Sequence, residues 1–430
     1  MANKPFLLRM YTSLLGLGGP LVAWPLLRYR RRQGKEMATR IGERRGLSSR
    51  HRPEGLVVWV HAASVGEFVS VLPLIHNLVD RGFFVLTTTG TVTSARLAAI
   101  RLPPDAVHQF APLDVPRYAR RFFNHWRPNL AIFTESEFWP NLFAEAELRG
   151  VPVVIANARM SKRSFERWSK TGNVIRHMLE SIDLCLAQSD TDARRLAGLG
   201  APRVETAGNL KFDVPPPPAP KETLERLESA VSGRPVFLAA STHPGEDEII
   251  ARVHARLKQK ARNLLTIIVP RHPDRAPEIV SAVEEIGLDA GLRSRITDPE
   301  WNNDVFVADT IGELGLFYRL ADVAFVGGSL VEHGGHNPIE PAKLGVPILH
   351  GPHISSFADI YKALDESQGA LEITDNETFA IAVSGLLADS TTRDMMRRAA
   401  HSVIEKNSGA LVRTMAAIEP YLMQMSLARP

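Results

Sequence analysis

Cysteine is almost absent from this chain of 430 residues, which contains a single thiol, Cys185. One cysteine cannot form an internal disulfide, so the small disulfide-stapled folds of secreted proteins are excluded. Cys185 lies in a short apolar run, Leu184-Cys185-Leu186-Ala187. This setting indicates a buried and reduced side chain in a cytosolic compartment.

A strong net charge is also missing. The chain has 51 Lys and Arg against 47 Asp and Glu, which gives a formal charge of +4. Such a mild excess suits an anionic partner. Outside residues 28–45 no concentrated basic stripe alternates with aromatic residues, and this disfavours nucleic acid. A membrane surface and a phosphorylated small molecule remain as partners.

Two nucleotide-binding signatures are absent as well. No Gly-x-Gly-x-x-Gly follows the first predicted strand, which argues against an ordinary dinucleotide oxidoreductase. No G-x-x-x-x-G-K-[ST] sequence is present, so a P-loop kinase is not supported. The content of 44% hydrophobic and 23% charged residues is that of a globular protein, and the length predicts two or three domains.

The N-terminal stretch from Met10 to Leu27 carries no charged residue, and a basic cluster containing Arg28 follows it directly. Eighteen such residues just reach the length of a membrane-spanning helix. We therefore expect residues 1–27 to form a membrane anchor, either a single span or an interfacial helix. The heavier positive flank places the rest of the chain on the cytoplasmic side. A buried helix of a soluble protein is the alternative.

Short apolar runs alternate with helical patterns through the rest of the chain. Their continuous hydrophobicity predicts parallel strands buried on both faces. A proline-rich segment at 214–220 interrupts this alternation of strands and helices, and its composition predicts a stiff linker between domains. We expect two doubly wound α/β domains, residues 28–213 and residues 221–430 with its C-terminal helices. The predicted strands are 56–61, 83–88, 130–134, 153–157, 184–188, 236–240, 264–269, 305–308, 323–326 and 347–349.

In the first half, carboxylates follow two of these strands. Glu67 falls in the first turn of the helix after the first strand, where the helix dipole stabilises a negative charge. Glu135 and Glu137 follow the strand 130–134, beside Trp139. Lys211 lies near the domain boundary. Each residue also has an ordinary structural explanation, as a first-turn glutamate, a solvated loop or a surface lysine.

In the second half, four strands end in segments suited to anion binding. Residues 240–246 are rich in hydroxyl groups, and Arg271 follows the next strand. Residues 309–314 and the glycine-rich stretch 327–342 follow two more, and in the latter Asn337 is placed to cap a helix with Glu340 in its first turn. A metal site at four histidines is disfavoured, because their spacing fits no standard ligand pattern. These histidines are His333, His336, His350 and His353.

Taken in order, these segments resemble the 3-deoxy-D-manno-oct-2-ulosonic acid (Kdo) transferases of lipopolysaccharide biosynthesis. The resemblance implies a GT-B fold of two Rossmann-like domains facing a cleft, metal-independent inverting chemistry and no cofactor. It further implies CMP-Kdo as donor and a lipid A precursor as acceptor, at the cytoplasmic face of the inner membrane. With the anchor, the motifs that carry the resemblance are spread over nearly the whole chain. They are SVGE (64–67), ESEFWPN (135–141), GNLKFD (208–213), PRHPDR (270–275), DTIGEL (309–314) and GGHNPIEPA (334–342).

The resemblance also implies roles for single residues. Glu67 is similar to the family's general base, and Glu137 and Lys211 are similar to its transition-state stabilisers. The CMP site implied by the motifs comprises Pro270, Arg271, Ile311, Gly312, Glu313, Asn337, Pro338, Ile339 and Glu340. Two alternatives stay open. One is another membrane-associated GT-B enzyme that uses a UDP-sugar and a lipid acceptor, and the other is a membrane-tethered anion-binding scaffold without catalysis.

Overall fold

The computed structural model describes residues 5–427 and divides into two compact units. Unit 1 contains the chain up to Val214 together with the segment from Asn407 onward, and unit 2 is Pro215–Lys406. Each unit has one parallel sheet of seven strands with helices packed on it. The predicted pair of doubly wound α/β domains is confirmed. Strands and helices are numbered in chain order through both units.

In unit 1 the strand order is β3-β2-β1-β4-β5-β6-β7. The strands are β1 (Val57–Ala62), β2 (Phe84–Thr89), β3 (Ala106–Phe110), β4 (Leu130–Thr134), β5 (Val153–Ala158), β6 (Leu184–Ala187) and β7 (Val204–Thr206). The helices are α1 (Phe6–Leu17), α2 (Gly19–Arg32), α3 (Val65–Asp80), α4 (Val92–Arg101), α5 (Pro116–Trp126), α6 (Pro140–Leu148), α7 (Lys162–Ser169), α8 (Asn173–Glu180), α9 (Asp190–Leu199) and α18 (Ala410–Leu427).

Strand β1 shows why the hydrophobic run is continuous. Val58 and Val60 pack into one cluster with helix α3, whereas Val57 and Trp59 pack into a second cluster with helix α5 on the opposite face. All four side chains are fully buried. A parallel strand covered on both faces needs apolar residues at every position.

The C-terminal helix corrects one predicted boundary. Residues 221–430 were expected to form a single domain, but α18 packs on unit 1, where Ile418 and Leu422 join the cluster beneath α3. Asp213 fixes the start of this helix, because its carboxylate accepts hydrogen bonds from the backbone N–H groups of Gly409 and Leu411 at 2.7 Å each. The amphipathic pattern predicted a helix here, but not which unit would bury its apolar face.

The N-terminal segment forms two helices, α1 and α2, bent by 68°. Within residues 5–427 no single helix is long and apolar enough to cross a membrane. The bent pair taken together has the length and apolar composition to do so.

One face of the helix pair packs on the rest of unit 1. Leu8 and Leu27 are buried, the Tyr11 hydroxyl donates to Asp114 at 2.9 Å, and the Thr12 hydroxyl donates to Asn141 at 3.0 Å.

In unit 2 the strand order is β10-β11-β9-β8-β12-β13-β14. The strands are β8 (Val236–Thr242), β9 (Leu265–Pro270), β10 (Ala290–Leu292), β11 (Val305–Val307), β12 (Val323–Val326), β13 (Ile348–His350) and β14 (Ala370–Glu372). The helices are α10 (Lys221–Ala230), α11 (Glu246–Lys258), α12 (Ala276–Glu285), α13 (Leu314–Leu320), α14 (Ile339–Lys343), α15 (Ala358–Glu366), α16 (Asn376–Ala388) and α17 (Ser390–Asn407).

The proline-rich segment that was predicted as a linker begins unit 2. Residues 215–220 form neither helix nor strand, and the Pro217 carbonyl accepts a hydrogen bond from Arg319 of α13 at 2.8 Å. A Cβ atom at Gly315 would lie 2.3 Å from the Pro218 carbonyl oxygen, so only glycine lets α13 approach this segment so closely.

Candidate active site

Both sheets have one point where the strand order reverses, and the predicted site residues gather there. In unit 1, β1 lies between β2 and β4; Glu67 is in the first turn of the helix after β1, and Glu137 is in the loop after β4. In unit 2, β8 lies between β9 and β12; Arg271 directly follows β9, and Glu340 is in the first turn of the helix after β12. Crevices outside the carboxyl ends of strands at such points are where ligands bind in open α/β sheets.

Glu67 is held by hydrogen bonds from both neighbouring strand ends. Ser64 caps helix α3, and its hydroxyl lies 2.8 Å from Glu67 Oε1. Glu67 Oε2 accepts hydrogen bonds from the Ala63 N–H at 2.9 Å and from the Thr134 hydroxyl at 2.8 Å. Ala63 follows β1 and Thr134 ends β4, so the half-buried carboxylate has a fixed orientation.

The surroundings of Glu67 raise its pKa above the ordinary value of a glutamate. Burial and the neighbouring Glu135 carboxylate raise the pKa of Glu67, against the opposing effect of its three hydrogen bonds. A raised pKa brings a carboxylate closer to the range in which it can accept and release a proton at neutral pH.

Lys211 forms an ion pair with Glu135. Its Nζ lies 2.9 Å from Glu135 Oε1. Lys211 sits in a short 3-10 turn, Leu210–Phe212, where the side chain of Asn209 accepts a hydrogen bond from the Lys211 N–H at 3.0 Å. Glu135 has a φ of 53°, a left-handed conformation that is uncommon for a residue with a Cβ. Strain of this kind often accompanies functional loops.

Glu137 lies two residues further along the same loop and meets a different partner. Its Oε2 is 3.9 Å from Nε2 of His61, the buried histidine of β1. Glu67, Glu137 and Lys211 are therefore all at the carboxyl edge of the first sheet. Glu135, which the sequence predicted as a second candidate carboxylate, belongs with them, as do Ser64 and Thr134, to which the sequence assigned no role.

In unit 2 the buried carboxylate of Glu246 ties two site loops together. Glu246 accepts four backbone N–H bonds, from His243 at 2.9 Å and from Gly328, Ser329 and Leu330 at 2.8–3.0 Å. The loop after β8 is thereby fixed to the loop after β12. A Cβ atom at Gly327 would lie 2.5 Å from the Ser241 carbonyl oxygen, so this contact also requires glycine. Glu246 received no role in the sequence analysis.

Arg271 and three histidines converge at this edge. The imidazole of His243 stacks on His333 at 3.9 Å between ring centroids, and its Nε2 lies 2.8 Å from Nε2 of His336. Burial, together with neighbours that include the Arg271 guanidinium, lowers the pKa of His243 and of His336 to about 4. Both rings are therefore neutral at pH 7, and Arg271 follows Pro270 as an exposed cation at the end of β9.

The loop after β11 presents an apolar side chain and a fixed carboxylate. Ile311 is 89% exposed, and Gly312 has a φ of 90°. The Arg293 guanidinium binds both oxygens of Glu313 at 2.8 and 3.0 Å and holds the pKa of that carboxyl below its ordinary value.

Residues 337–340 start helix α14 as predicted. The Asn337 side chain accepts a hydrogen bond from the Ile339 N–H at 3.1 Å and donates to Glu340 Oε1 at 3.3 Å. Pro338 lies at the helix N-cap, and Glu340 is in the first turn. Burial raises the pKa of Glu340.

The histidines considered for a metal site have other surroundings. His350 is buried between Asp365, at 2.9 Å, and the carbonyl of Gly351, at 2.8 Å. Among residues 5–427 no group of three or more His, Cys, Asp or Glu side chains is arranged to hold a metal ion.

The fold is similar to that of solved structures with low sequence identity. A glycosyltransferase from Rickettsia africae shares 11% identity and covers 88% of this chain and 100% of its own, with a TM-score of 0.56. A UDP-GlcNAc 2-epimerase from Neisseria meningitidis shares 10% identity and covers 83% of this chain and 100% of its own, with a TM-score of 0.55. These likenesses concern the fold alone, and with the two seven-stranded sheets they confirm the predicted GT-B class.

Sequence comparison identifies the family. The family model for 3-deoxy-D-manno-octulosonic-acid transferase matches residues 39–214. A 3-deoxy-D-manno-octulosonic acid transferase of Haemophilus influenzae is 38% identical over 96% of this chain and 98% of its own length. The transferase of Bordetella pertussis is 35% identical over 96% of this chain and 99% of its own length. This chain therefore belongs to the 3-deoxy-D-manno-octulosonic acid transferase family and is a glycosyltransferase of the GT-B fold.

Proposed function

We propose that this enzyme transfers Kdo from CMP-Kdo to a hydroxyl group of a lipid A precursor, with inversion at the anomeric carbon and with Glu67 as the general base. The observation that carries the proposal is the fixed, half-buried carboxylate of Glu67 at the point where the strand order of the first sheet reverses. Family membership supports the transfer of Kdo.

The hydrogen bonds of Glu67 define which oxygen acts. Oε2 accepts from Ala63 and lies 2.8 Å from the Thr134 hydroxyl, which is also 3.0 Å from the His61 carbonyl oxygen and donates to one of the two at a time. Among the described residues Oε1 accepts from Ser64 alone and keeps a second lone pair for the acceptor. The proton of the acceptor hydroxyl passes to Oε1 as its oxygen attacks the anomeric carbon of Kdo. A positioned base of this kind contributes about 10²–10⁴-fold to the rate.

The leaving group and the sugar develop opposite charges in the transition state. CMP departs as a phosphomonoester anion, which Lys211 and Arg271 stabilise as cations. The bond to the leaving group breaks with positive charge on the sugar ring, as in other glycosyl transfers, and the carboxylate of Glu137 stabilises that charge. These roles use side chains that already lie at the carboxyl edges of the two sheets.

Unit 2 supplies the CMP site in this proposal. The Glu340 carboxylate, in the first turn of α14, binds the ribose hydroxyls, and Asn337 orients it through their hydrogen bond of 3.3 Å. Pro270, Pro338 and Ile339 shape the walls around the phosphate and ribose. The exposed Ile311 and the flexible Gly312 offer an apolar face to the cytosine ring, with Glu313 fixed behind them.

Mass spectrometry of the product tests this function. Purified enzyme is incubated with a lipid A precursor and either CMP-Kdo or a panel of UDP-sugars. A mass increase of one or more Kdo residues with CMP-Kdo alone is expected. Transfer from a UDP-sugar instead identifies another GT-B activity, and binding of both substrates without any product identifies a scaffold.

The N-terminal helices attach the enzyme to the membrane interface without crossing it. The faces of α1 and α2 that turn away from unit 1 expose large apolar side chains, among them Leu17, Leu21 and Trp24, each more than 60% exposed. The opposite faces are packed on unit 1, which holds the pair to the surface of the domain. The basic residues at the end of α2, including Arg28, suit anionic headgroups.

Cysteine labelling distinguishes interfacial attachment from a span. Arg9→Cys and Gln33→Cys are compared in sealed vesicles with a membrane-impermeant maleimide added outside. The native Cys185 is buried and gives little background. Labelling of both positions from the side that holds the enzyme is expected. Labelling of position 9 only after the vesicles are opened indicates a span and contradicts interfacial attachment.

A further inference from the structure

His61 is a buried residue with an unused hydrogen-bond donor beside a site carboxylate. It lies in β1 and is 1% exposed. Its Nε2 has no hydrogen-bond partner among residues 5–427 and lies 3.9 Å from Glu137 Oε2. This separation is too long for a hydrogen bond. Catalytic hydrogen bonds are often long in ligand-free enzymes and shorten when the substrate is bound.

The network behind His61 determines which ring nitrogen carries the proton. The Trp59 indole N–H, which can only donate, lies 2.8 Å from the Thr88 hydroxyl oxygen. That oxygen is also 2.8 Å from His61 Nδ1. Thr88 is fully buried, and its hydroxyl has no other acceptor in the described part of the chain. The Trp59 N–H, the Thr88 hydroxyl and His61 Nδ1 are all hydrogen-bonded only if Thr88 donates to Nδ1. The proton of a neutral imidazole is then on Nε2.

Aromatic rings fix the plane of the imidazole. Phe133 lies 5.4 Å from the His61 ring at an interplanar angle of 61°, and Trp139 lies 5.9 Å away at 84°. Phe133 is in β4, which precedes the loop that carries Glu137, and Trp139 is the last residue of that loop. The Nε2–H is therefore held in one direction, and the loop is packed against the same ring.

We propose that His61 is the positioning residue of Glu137: its Nε2–H donates to the Glu137 carboxylate when the donor sugar is bound and fixes the orientation in which that carboxylate stabilises the transition state. This inference rests on the role given to Glu137 in the proposed function. His61 itself does not touch the substrate, because its side chain is buried.

Two amide variants separate the contributions of the two ring nitrogens. In His61→Gln the side-chain amide reaches the position of Nε2 and keeps an N–H for Glu137. In His61→Asn the shorter amide reaches only the position of Nδ1, near Thr88. Turnover of CMP-Kdo is expected to fall about 10- to 100-fold in His61→Asn, the range for a misplaced catalytic group, and to stay within about threefold of wild type in His61→Gln. CMP affinity stays unchanged in both, and His177→Asn, at a partly buried histidine of α8, is the matched control.

A double-mutant cycle tests whether His61 acts through Glu137. In a Glu137→Ala background, His61→Asn is expected to cause no further loss of turnover, because the group that it orients is gone. An equal loss in both backgrounds, or full turnover in the single His61→Asn variant, overturns the inference. Failure of wild-type enzyme to use CMP-Kdo instead overturns the proposed function.

A spectroscopic readout remains decisive if the His61 variants do not fold. In ¹⁵N-histidine-labelled wild-type enzyme, the His61 ring is expected as the Nε2–H tautomer, with an Nε2 resonance that shifts in Glu137→Ala. A His61 ring in the Nδ1–H tautomer, or an Nε2 resonance that does not shift in Glu137→Ala, contradicts the proposal.

Discussion

The two units place their functional loops at equivalent points of nearly identical sheets, yet the chemistry at those points differs. In unit 1 carboxylates and one lysine meet at the ends of β1 and β4. Glu135 forms an ion pair with Lys211, and burial together with the Glu135 charge raises the pKa of Glu67. In unit 2 the equivalent loops, after β8 and β12, carry glycines and neutral histidines, and Arg271 follows the neighbouring strand β9. The first set suits proton transfer and charge stabilisation, and the second suits binding of a nucleotide. A shared fold thus supplies the position, and the loop residues supply the function.

The largest expected effect is the loss of turnover in Glu67→Gln. The amide keeps the hydrogen bonds at Oε2 but cannot accept the acceptor's proton, so turnover is expected to fall by about 10²–10⁴-fold. Helix α3 loses only about 0.3–1 kcal/mol of dipole stabilisation, and the melting temperature changes little. Glu54→Gln, at an exposed glutamate before β1, is the matched control. Retention of more than about a tenth of wild-type turnover would remove Glu67 as the base and direct attention to Glu137.

The next prediction concerns a second difference, the N-terminal helices that only unit 1 carries. Deletion of residues 1–27 removes the buried Leu27 and the hydrogen bond from Tyr11 to Asp114. Their loss is expected to lower the free energy of unfolding of unit 1 by about 3 kcal/mol. Tyr11→Phe, which removes one hydroxyl, costs about 1 kcal/mol.

Denaturant unfolding of the truncated enzyme in detergent measures this effect. The residues proposed to be catalytic lie outside the deleted segment, so a truncated enzyme that stays folded is expected to keep its turnover. Stability equal to that of the full-length chain would contradict the packing of α1 and α2 on unit 1.

A smaller effect is expected for the nucleotide site of unit 2. Glu340→Ala removes the carboxylate proposed to bind the ribose, and CMP affinity is expected to fall by about 5- to 150-fold, which corresponds to about 1–3 kcal/mol. Glu332→Ala, at an exposed glutamate in the same loop region, is the matched control and leaves affinity unchanged. Calorimetric titration with CMP measures both. Unchanged affinity in Glu340→Ala would place the ribose elsewhere.

The smallest effect is a difference in acid sensitivity between the units. In unit 2 the pKa of His243, His254 and His336 is lowered to about 4, first of all by burial, from an ordinary value of 6.5. Below pH 6.5 the unfolded chain binds protons that the folded unit does not. Stability therefore falls as the pH is lowered, by up to about 1.4 kcal/mol per pH unit for the fully buried His254.

Hydrogen exchange resolves this acid sensitivity by unit. Between pH 7 and 5, the protection factors of unit 2, which compare measured with intrinsic exchange rates at each pH, are expected to fall more than those of unit 1, where His108 is the one histidine of the described residues with a comparably lowered pKa. His254→Gln reduces the difference. If unit 1 loses protection at a higher pH than unit 2, the acid sensitivity does not come from the buried histidines of unit 2.

The strands in the interior of both sheets could be predicted from the sequence, whereas those at the edges could not. The four strands that the hydrophobic pattern missed, β3, β7, β10 and β14, are the outermost strands of the two sheets. An edge strand has a neighbour on one side only, and its faces are less covered, so polar residues such as His108 in β3 and Glu372 in β14 interrupt the apolar run. Continuous hydrophobicity identifies only strands that are buried on both faces.

The site residues could be predicted singly, but their partners could not. Glu67, Lys211 and Glu340 were identified from motifs whose local positions the structure reproduces. The pairing of Lys211 with Glu135 joins residues 76 positions apart, and Glu246 binds N–H groups 82 to 84 positions away. Contacts over such separations depend on the strand order of the sheet, which the local sequence does not encode.

The measurement that most directly tests the division of roles between the units is the CMP affinity of Glu67→Gln, determined by calorimetry on the same preparation that is assayed for turnover. If Glu67 is the base in unit 1 and unit 2 holds the nucleotide, the Kd for CMP stays within about twofold of wild type while turnover falls at least about 100-fold. A Kd raised in proportion to the loss of turnover would contradict this division and place Glu67 in the nucleotide site.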